Sequence, residues 1–274
     1  MRIVSQLQEL NEALDIESNK SIGFVPTMGF LHHGHRSLIH ESKKRSDFTI
    51  VSIFINPTQF NNQSDLKNYP VSIEKDLFIL EQEKVDLVFC PDFDTLYNNE
   101  KPIEITLGPL DNVLEATKRK GHFQGVIRVL SIFFKLTNPN YAFFGEKDYQ
   151  QYLVINQLAK KSFPEIEIIM CPTKREQSGL AMSSRNSRLS AEDFEKSKEI
   201  FKVLTFCKKN FDYSNREELE KTCMNKLAKF SEPEYFEIRH SDDLLNNGGK
   251  FKNWRAFAAT NLAGVRLIDN IALI

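Results

Sequence analysis

The stretch Ile22-Gly-Phe-Val-Pro-Thr-Met-Gly-Phe-Leu-His-His-Gly-His-Arg-Ser-Leu-Ile-His40 decides the fold. Ile22–Pro26 is a short run rich in β-branched and aromatic residues, the composition of a buried strand. A tight glycine turn follows, and a helical pattern begins near Gly34. The first N–H groups of that helix and its dipole favour an anion. His32 and His35 are three residues apart, so both rings can point at one phosphate and donate to charge growing on it. Histidine at 32, 33 and 35 also suits a metal. No Asp, Glu or Cys lies beside them as a further ligand, however, and the glycine turn suits phosphate better.

Working outward, the same strand-like composition recurs at Phe48–Ile55, Val85–Cys90, Tyr141–Gly145 and Glu165–Cys171. Helical patterns lie between them at about 34–46, 72–84, 123–137 and 148–162. This alternation predicts an α/β fold, with a Rossmann-like parallel sheet covered by helices on both faces. Ligands in such folds sit beyond the carboxyl ends of strands, which directs attention to the loops after Pro26, Ile55, Gly145 and Cys171. After about residue 173 the rhythm changes. Ser190 opens a predicted helix through Lys209, Ser214-Asn-Arg-Glu217 reads as a capping box for another, and strands are expected at 233–240 and 264–274 around the turn Asn246-Asn247-Gly248-Gly249. The expected domains are 1–173, Rossmann-like, and 174–274, a smaller α+β domain.

Composition narrows the function classes. Lys and Arg total 36 against 37 Asp and Glu, a net charge of −1, which excludes a generic polyanion binder resting on a basic excess. Lys43-Lys44-Arg45 and Lys118-Arg119-Lys120 either face a small anion or are solvated. With 41% hydrophobic and 27% charged residues the chain has ordinary globular composition, which argues against long disorder. Cys90, Cys171, Cys207 and Cys223 form no C-x-x-C pair, so neither a zinc ribbon nor a disulfide framework is suggested. The acidic, interrupted N-terminus is unlike a signal peptide, and runs such as FTIVSIFI are too short to span a bilayer. A reduced, cytoplasmic protein without a membrane partner is expected. Neither G-x-x-x-x-G-K-[ST] nor G-x-G-x-x-G occurs, so a nucleotide would be held by the His-x-Gly-His element instead.

PTMGFLHHGH resembles the HIGH-type signature of nucleotidylyl transferases. Together with VSIFINPTQF (51–60), GHFQGV (121–126), FFGEKDYQQ (143–151), PTKREQSGLAMSSRNSRLS (172–190) and RLIDN (266–270), it is similar to the pantothenate synthetase (pantoate–β-alanine ligase) family over nearly the whole chain. The resemblance implies a two-step reaction. Pantoate's carboxylate attacks the α-phosphate of Mg²⁺-ATP to give pantoyl adenylate and pyrophosphate. The amine of β-alanine then attacks the activated carbonyl and releases AMP and pantothenate. It also implies a homodimer; no nucleic-acid partner is expected at a net charge of −1.

Residue by residue, the resemblance assigns ATP binding to Met28, Gly29, Phe30, Leu31, His32, His33, Gly34 and His35, with His35 as the donor to phosphate. Gly145, Glu146, Lys147 and Asp148 follow a strand end, where the family contacts ribose and phosphate; Asp148 could equally be a helix cap. Met182, Ser183, Ser184 and Arg185 match the family's phosphate-closing loop, with Gly179 supplying mobility, and Lys174 matches a backbone contact to adenine. The catalytic set implied is His35, His32, Lys147 and Arg185. Asn56, Gln59 and Gln151 match the pantoate pocket, and Arg119 and His122 line the substrate region. No protein metal site is implied; Mg²⁺ enters with ATP. Val71, Lys120, Arg128 and Ser178 depart from the family pattern. A nucleotidylyltransferase acting on a phosphorylated acceptor would want cations in place of Gln59 and Gln151. An RNA-binding module would want a basic face and stacking aromatics, against a charge of −1 and a set of 22 Phe, 7 Tyr and 1 Trp.

Overall fold

Six short runs pair as parallel strands: β1 (Arg2–Val4), β2 (Ile22–Thr27), β3 (Phe48–Ile53), β4 (Leu87–Phe89), β5 (Tyr141–Gly145) and β6 (Glu167–Cys171). Their order in the computed structural model, which describes residues 1–98, 101–245 and 253–273, is β1-β4-β3-β2-β5-β6. The chain winds outward from β2 through β3 to β4, then returns to the other side of β2 as β5. That reversal opens a crevice at the carboxyl ends of β2 and β5, the usual ligand position in open parallel sheets.

Helices α1 (Leu7–Ile16), α2 (His33–Arg45), α3 (Gln63–Lys67), α4 (Ile73–Gln82) and α5 (Phe93–Tyr97) come first. They are followed by α6 (Leu114–Lys118), α7 (His122–Thr137), α8 (Tyr149–Ser162), α9 (Ala191–Asn210) and α10 (Arg216–Leu227). Neighbouring residues of β2 serve opposite faces of the sheet. Val25 joins Leu38 and Ile39 of α2, Leu80 of α4, Val88 and Phe143 in one buried cluster. The Phe24 ring lies 5.5 Å from Phe133 and 6.4 Å from Phe134 of α7. A strand buried on both sides reads as a continuous apolar run, which is why the parallel sheet was legible. Gly23 lets α2 approach closely: a Cβ there would stand 2.2 Å from Ser42 Oγ and 2.4 Å from Ser46 Oγ. The sequence reading missed β1 and α1. Two of the three residues of β1 are exposed, so no buried pattern marks it.

Chain contacts divide the molecule into two units, the first being Met1–Leu107, Arg119–Glu146 and Val154–Pro172. The second takes Gly108–Lys118, Lys147–Leu153 and Thr173–Ile274. Its antiparallel sheet has the order β7 (Glu232–His240), β8 (Trp254–Leu262), β9 (Val265–Ala272). Trp254, Ala256 and Ala258 pack with Ile200, Leu204 and Cys207 of α9 and Cys223 and Leu227 of α10. On the opposite face the Arg255 guanidinium covers the Tyr149 ring at 4.1 Å, and Phe257 lies 5.9 Å from Tyr149.

That double burial explains the strand the sequence reading missed. As the central strand, β8 is buried along nearly its whole length, and its alanines and arginine show neither alternation nor β-branched enrichment. The expected turn at Asn246–Gly249 lies outside the described residues. Ser190 does cap α9, accepting the Asp193 N–H at 3.1 Å. The capping box read at Ser214–Glu217 does not form. Instead Asp212 accepts the Ser214 N–H at 2.9 Å, and Asn215 accepts the Asp212 N–H at 3.1 Å, capping a 3₁₀ turn before α10. Aspartate accepts more strongly than a serine hydroxyl, so the cap moves to Asp212. Among the described residues no helix is long and apolar enough to cross a membrane.

Candidate active site

The loop after β2 is built from two successive left-handed residues, Gly29 at φ 78° and Phe30 at φ 53°. This conformation turns neighbouring N–H groups toward one point. The group at that point is Asp76 of α4: Phe30 N donates to Oδ2 and Leu31 N to Oδ1, each at 2.7 Å. Asp76 is only 2% exposed. Burial pushes its carboxyl above the ordinary pKa, and the two N–H bonds oppose that rise. The helix end is likewise occupied, because Gly34 N donates to His32 Nδ1 at 3.1 Å and His32 N donates to His35 Nδ1 at 3.3 Å. The sequence reading offered such backbone N–H groups to an anionic ligand. Here the chain's own side chains take those of Phe30, Leu31 and Gly34.

The histidines gain a defined role from the same bonds. An Nδ1 that accepts from a backbone N–H carries no proton, so both neutral rings hold theirs on Nε2. The ring centroids are 4.0 Å apart and tilted by 37°. Two Nε2–H donors are thereby oriented by a reciprocal cap at the end of the central strand. His33 is exposed. Beside the loop a cavity of about 320 Å³ is lined by Met28, Phe30, Phe54, Val71, Asp76 and Phe93, among others.

Beyond β3, Asn56, Gln59 and His122 meet. The Asn56 carboxamide donates to Gln59 Oε1 at 3.2 Å and to the Gly125 carbonyl at 3.0 Å. Its oxygen accepts from the Thr58 and Tyr97 hydroxyls, both at 2.9 Å. With 1% exposure, Asn56 acts here as the frame that sets Gln59. Gln59 Nε2 reaches Met28 Sδ at 2.9 Å, tying this cluster to the loop after β2. His122 Nδ1 lies 2.8 Å from the Gln59 carbonyl, which can only accept; its neutral tautomer is therefore the opposite of that of His32 and His35. Gly125 allows this contact, since a Cβ would stand 2.4 Å from the Thr58 carbonyl oxygen and 2.6 Å from Gln59 Cα. Arg119 is half-buried, and its carbonyl accepts the His122 N–H at 3.0 Å.

In the second unit, Lys147 Nζ donates to Asp148 Oδ1 at 3.2 Å, and the Lys147 side chain is 17% exposed. Gly145 ends β5 opposite Cys171, and Glu146–Asp148 form a 3₁₀ turn leading into α8. Gln150 is buried, whereas Gln151 is half-buried. The segment from Lys174 to Met182 doubles back on itself, with Arg175 bridged to Ala181 and the Met182 N–H donating to the Lys174 carbonyl at 2.9 Å. Lys174's side chain is exposed, and the loop uses its carbonyl. Gly179 sits at φ 91°, where a Cβ would meet Phe201 Cδ1 at 2.5 Å, so the turn geometry itself calls for glycine. Ser183 Oγ accepts the Arg185 N–H at 3.3 Å, and Asn186 Nδ2 donates to the Ala181 carbonyl at 3.0 Å. Ser184 is buried, while Met182, Ser183 and Arg185 are half-buried. Among the described residues no group of three or more His, Cys, Asp or Glu side chains is placed to hold a metal ion.

A family model for pantoate-beta-alanine ligase matches residues 2–272. The chain belongs to this family. It is 42% identical over 281 residues to the pantothenate synthetase of Christiangramia forsetii, covering 100% of this chain and 99% of that one. Against the pantothenate synthetase of Francisella tularensis subsp. novicida it is 42% identical over 269 residues, covering 97% and 94%. The crystal structure of pantothenate synthetase from Thermus thermophilus matches with a TM-score of 0.91 at 34% identity, over 99% of both chains. The pantoate-beta-alanine ligase of Francisella tularensis, complexed with beta-gamma ATP and beta-alanine, matches with a TM-score of 0.83 at 38% identity, over 99% and 97%. The protein is thus an enzyme, a ligase joining pantoate to β-alanine.

The four residues read as departures from the family pattern differ in placement. Val71 is 68% exposed at the cavity rim, and Lys120 and Arg128 are exposed. Ser178 Oγ accepts the Leu180 N–H at 3.4 Å within the Lys174–Met182 turn. The residue the sequence reading missed is Asp76, because a lone Asp on a helix 46 positions from Phe30 gives no local signal. Asp76→Asn should test its grip on the loop. One of its two accepting oxygens becomes an NH₂ facing an N–H, at a cost of about 1–3 kcal/mol. Urea unfolding should show that loss. A midpoint unchanged from the parent would mean the loop holds its left-handed residues without Asp76.

Proposed function

We propose that the chain joins pantoate to β-alanine in two steps, through a pantoyl adenylate formed from ATP with release of pyrophosphate, then AMP. The observation that carries this reading is the pair of Nε2–H donors, His32 and His35, held by a reciprocal cap at the end of the central strand. Nothing in that arrangement attacks substrate. Fixed donors aimed at a phosphoryl group stabilise charge as it develops there, and this suits displacement at the α-phosphate. Met28–His35 bind ATP in this reading, as do Gly145–Asp148, the Lys174 backbone and Met182–Arg185. Lys147 and Arg185 neutralise the moving phosphates. Gln59, set by Asn56, and Gln151 orient pantoate, with His122 and Arg119 lining the substrate region. A neutral amide can accept from a hydroxyl while donating to an oxygen, so pantoate is oriented without quenching its nucleophilic carboxylate.

In the second step, the pantoyl carbonyl accepts the amine of β-alanine. The new C–N bond forms as the bond to AMP breaks, and the amine loses a proton. ATP is taken as its Mg²⁺ salt. Mg²⁺ keeps several waters and leans on substrate phosphates rather than on a protein cage. A homodimer belongs to the same proposal and is checked by light scattering. The deciding experiment supplies ATP, pantoate and β-alanine and identifies the products. Equal amounts of AMP and pyrophosphate are expected; ADP and phosphate would mean an acyl phosphate route and would overturn the adenylate.

A further inference from the structure

Two neighbouring residues of β9 hold two separate segments that the proposed reaction uses. Asp269 is 3% exposed and receives both arms of Arg175, Nη1 at 2.6 Å and Nη2 at 3.0 Å. The same guanidinium donates to the Gly179 carbonyl at 3.0 Å and lies 4.1 Å from the Phe201 ring centroid. Arg175 and Gly179 are the two sides of the turn that leads into Met182–Arg185. Asn270 is also 3% exposed, and its Nδ2 donates to the Lys147 carbonyl at 2.9 Å. Its Oδ1 accepts from Arg255 Nη1, the guanidinium that covers Tyr149. The Asn270 N–H donates to Asp269 Oδ1 at 2.7 Å, closing the link between the two side chains.

Successive residues of a strand point to opposite faces of its sheet. Asp269 therefore works on the face that carries α9, and Asn270 on the face that carries Tyr149. One dipeptide unit thus fixes the relative placement of Lys147 and the Arg175–Gly179 turn, although 28 positions separate Lys147 from Arg175 in the chain. Both partners are polar main-chain or guanidinium groups at the ends of functional segments, and each is fully buried at its β9 end.

We propose that Asp269 and Asn270 are positioning residues that register Lys147 against the Met182–Arg185 loop, so that both sets of groups meet one phosphate chain in a fixed geometry. This rests on the reading above that Lys147 and Arg185 act on ATP. Misplacing a catalytic group by about 1 Å can lower a rate by about 10²-fold.

The test is a double-mutant cycle on pantoate-dependent exchange of pyrophosphate into ATP, with Lys147→Ala, Asn270→Ala and the combined variant. Asn270→Ala should lower the exchange rate at saturating ATP by about 10- to 100-fold and leave the KM for β-alanine near that of the parent. If Asn270 acts through Lys147, the combined variant loses no more than Lys147→Ala alone. Losses that multiply, or exchange at the parental rate in Asn270→Ala, would overturn the proposal. Parental exchange in Lys147→Ala would overturn the role of Lys147 itself, and this proposal with it. Should Asn270→Ala fail to fold, Asn270→Asp takes its place in the cycle. It keeps the volume and the acceptor for Arg255 but replaces the donor to Lys147 with an oxygen.

Discussion

His35→Ala is expected to slow adenylate formation by about 10²–10³-fold, the range for removing one donor to charge that develops in a transition state. The ring carries its proton on Nε2 because Nδ1 accepts the His32 N–H, so alanine removes a preoriented donor. ATP binding should weaken far less than kcat falls, since the interaction is made mainly in the transition state. Alanine also removes half of the reciprocal cap at the start of α2, worth about 1 kcal/mol of stability. His35→Gln separates the two effects. A glutamine at the third helical position can reach back to the His32 N–H, as in ordinary capping boxes, and so recovers stability without restoring the rate. Stopped-flow or exchange kinetics on both variants, alongside thermal unfolding, provide the check. A folded His35→Ala variant with parental kcat would remove His35 from the mechanism.

The largest effect on stability is expected from Glu115→Ala. Glu115 is 7% exposed, and it receives Arg266 Nη1 at 2.7 Å, Arg266 Nη2 at 2.8 Å and the Tyr235 hydroxyl at 2.6 Å. Burial first, and then the Glu115 charge, hold the Tyr235 phenol well above its ordinary pKa, so it stays protonated as the donor. Removing Glu115 leaves a buried hydroxyl without this acceptor and a guanidinium whose other carboxylate partner among the described residues is Glu234, at 3.0 Å. Breaking one side of a buried charge pair costs about 3–5 kcal/mol. Glu115→Gln keeps an acceptor for Tyr235 and should lose less. The two variants are compared by urea unfolding. A loss below about 1 kcal/mol for alanine, typical of exposed pairs, would show that water replaces the carboxylate at little cost.

The sequence by itself determined the parallel sheet, the glycine turn between β2 and α2, and the order of motifs along the chain. Those features are local: a strand buried on both faces is an apolar run, and a strand–glycine–helix junction spans a few residues. It also carried the family, because the motifs and their order are written directly in the chain. Tertiary structure decided what each motif residue bonds. The N–H groups of Phe30 and Leu31 go to Asp76 rather than to a ligand, and the His32 and His35 tautomers follow from bonds that no spacing reveals. Asn56 proved to be the frame of Gln59, and Gly125 the residue that lets α7 reach it. RLIDN was visible as a motif, but the opposite duties of Asp269 and Asn270 depend on partners 94 and 123 positions away. β8 was illegible for a related reason. Its residues are chosen by what covers both faces of a central strand, and that cover is assembled only when distant segments fold together.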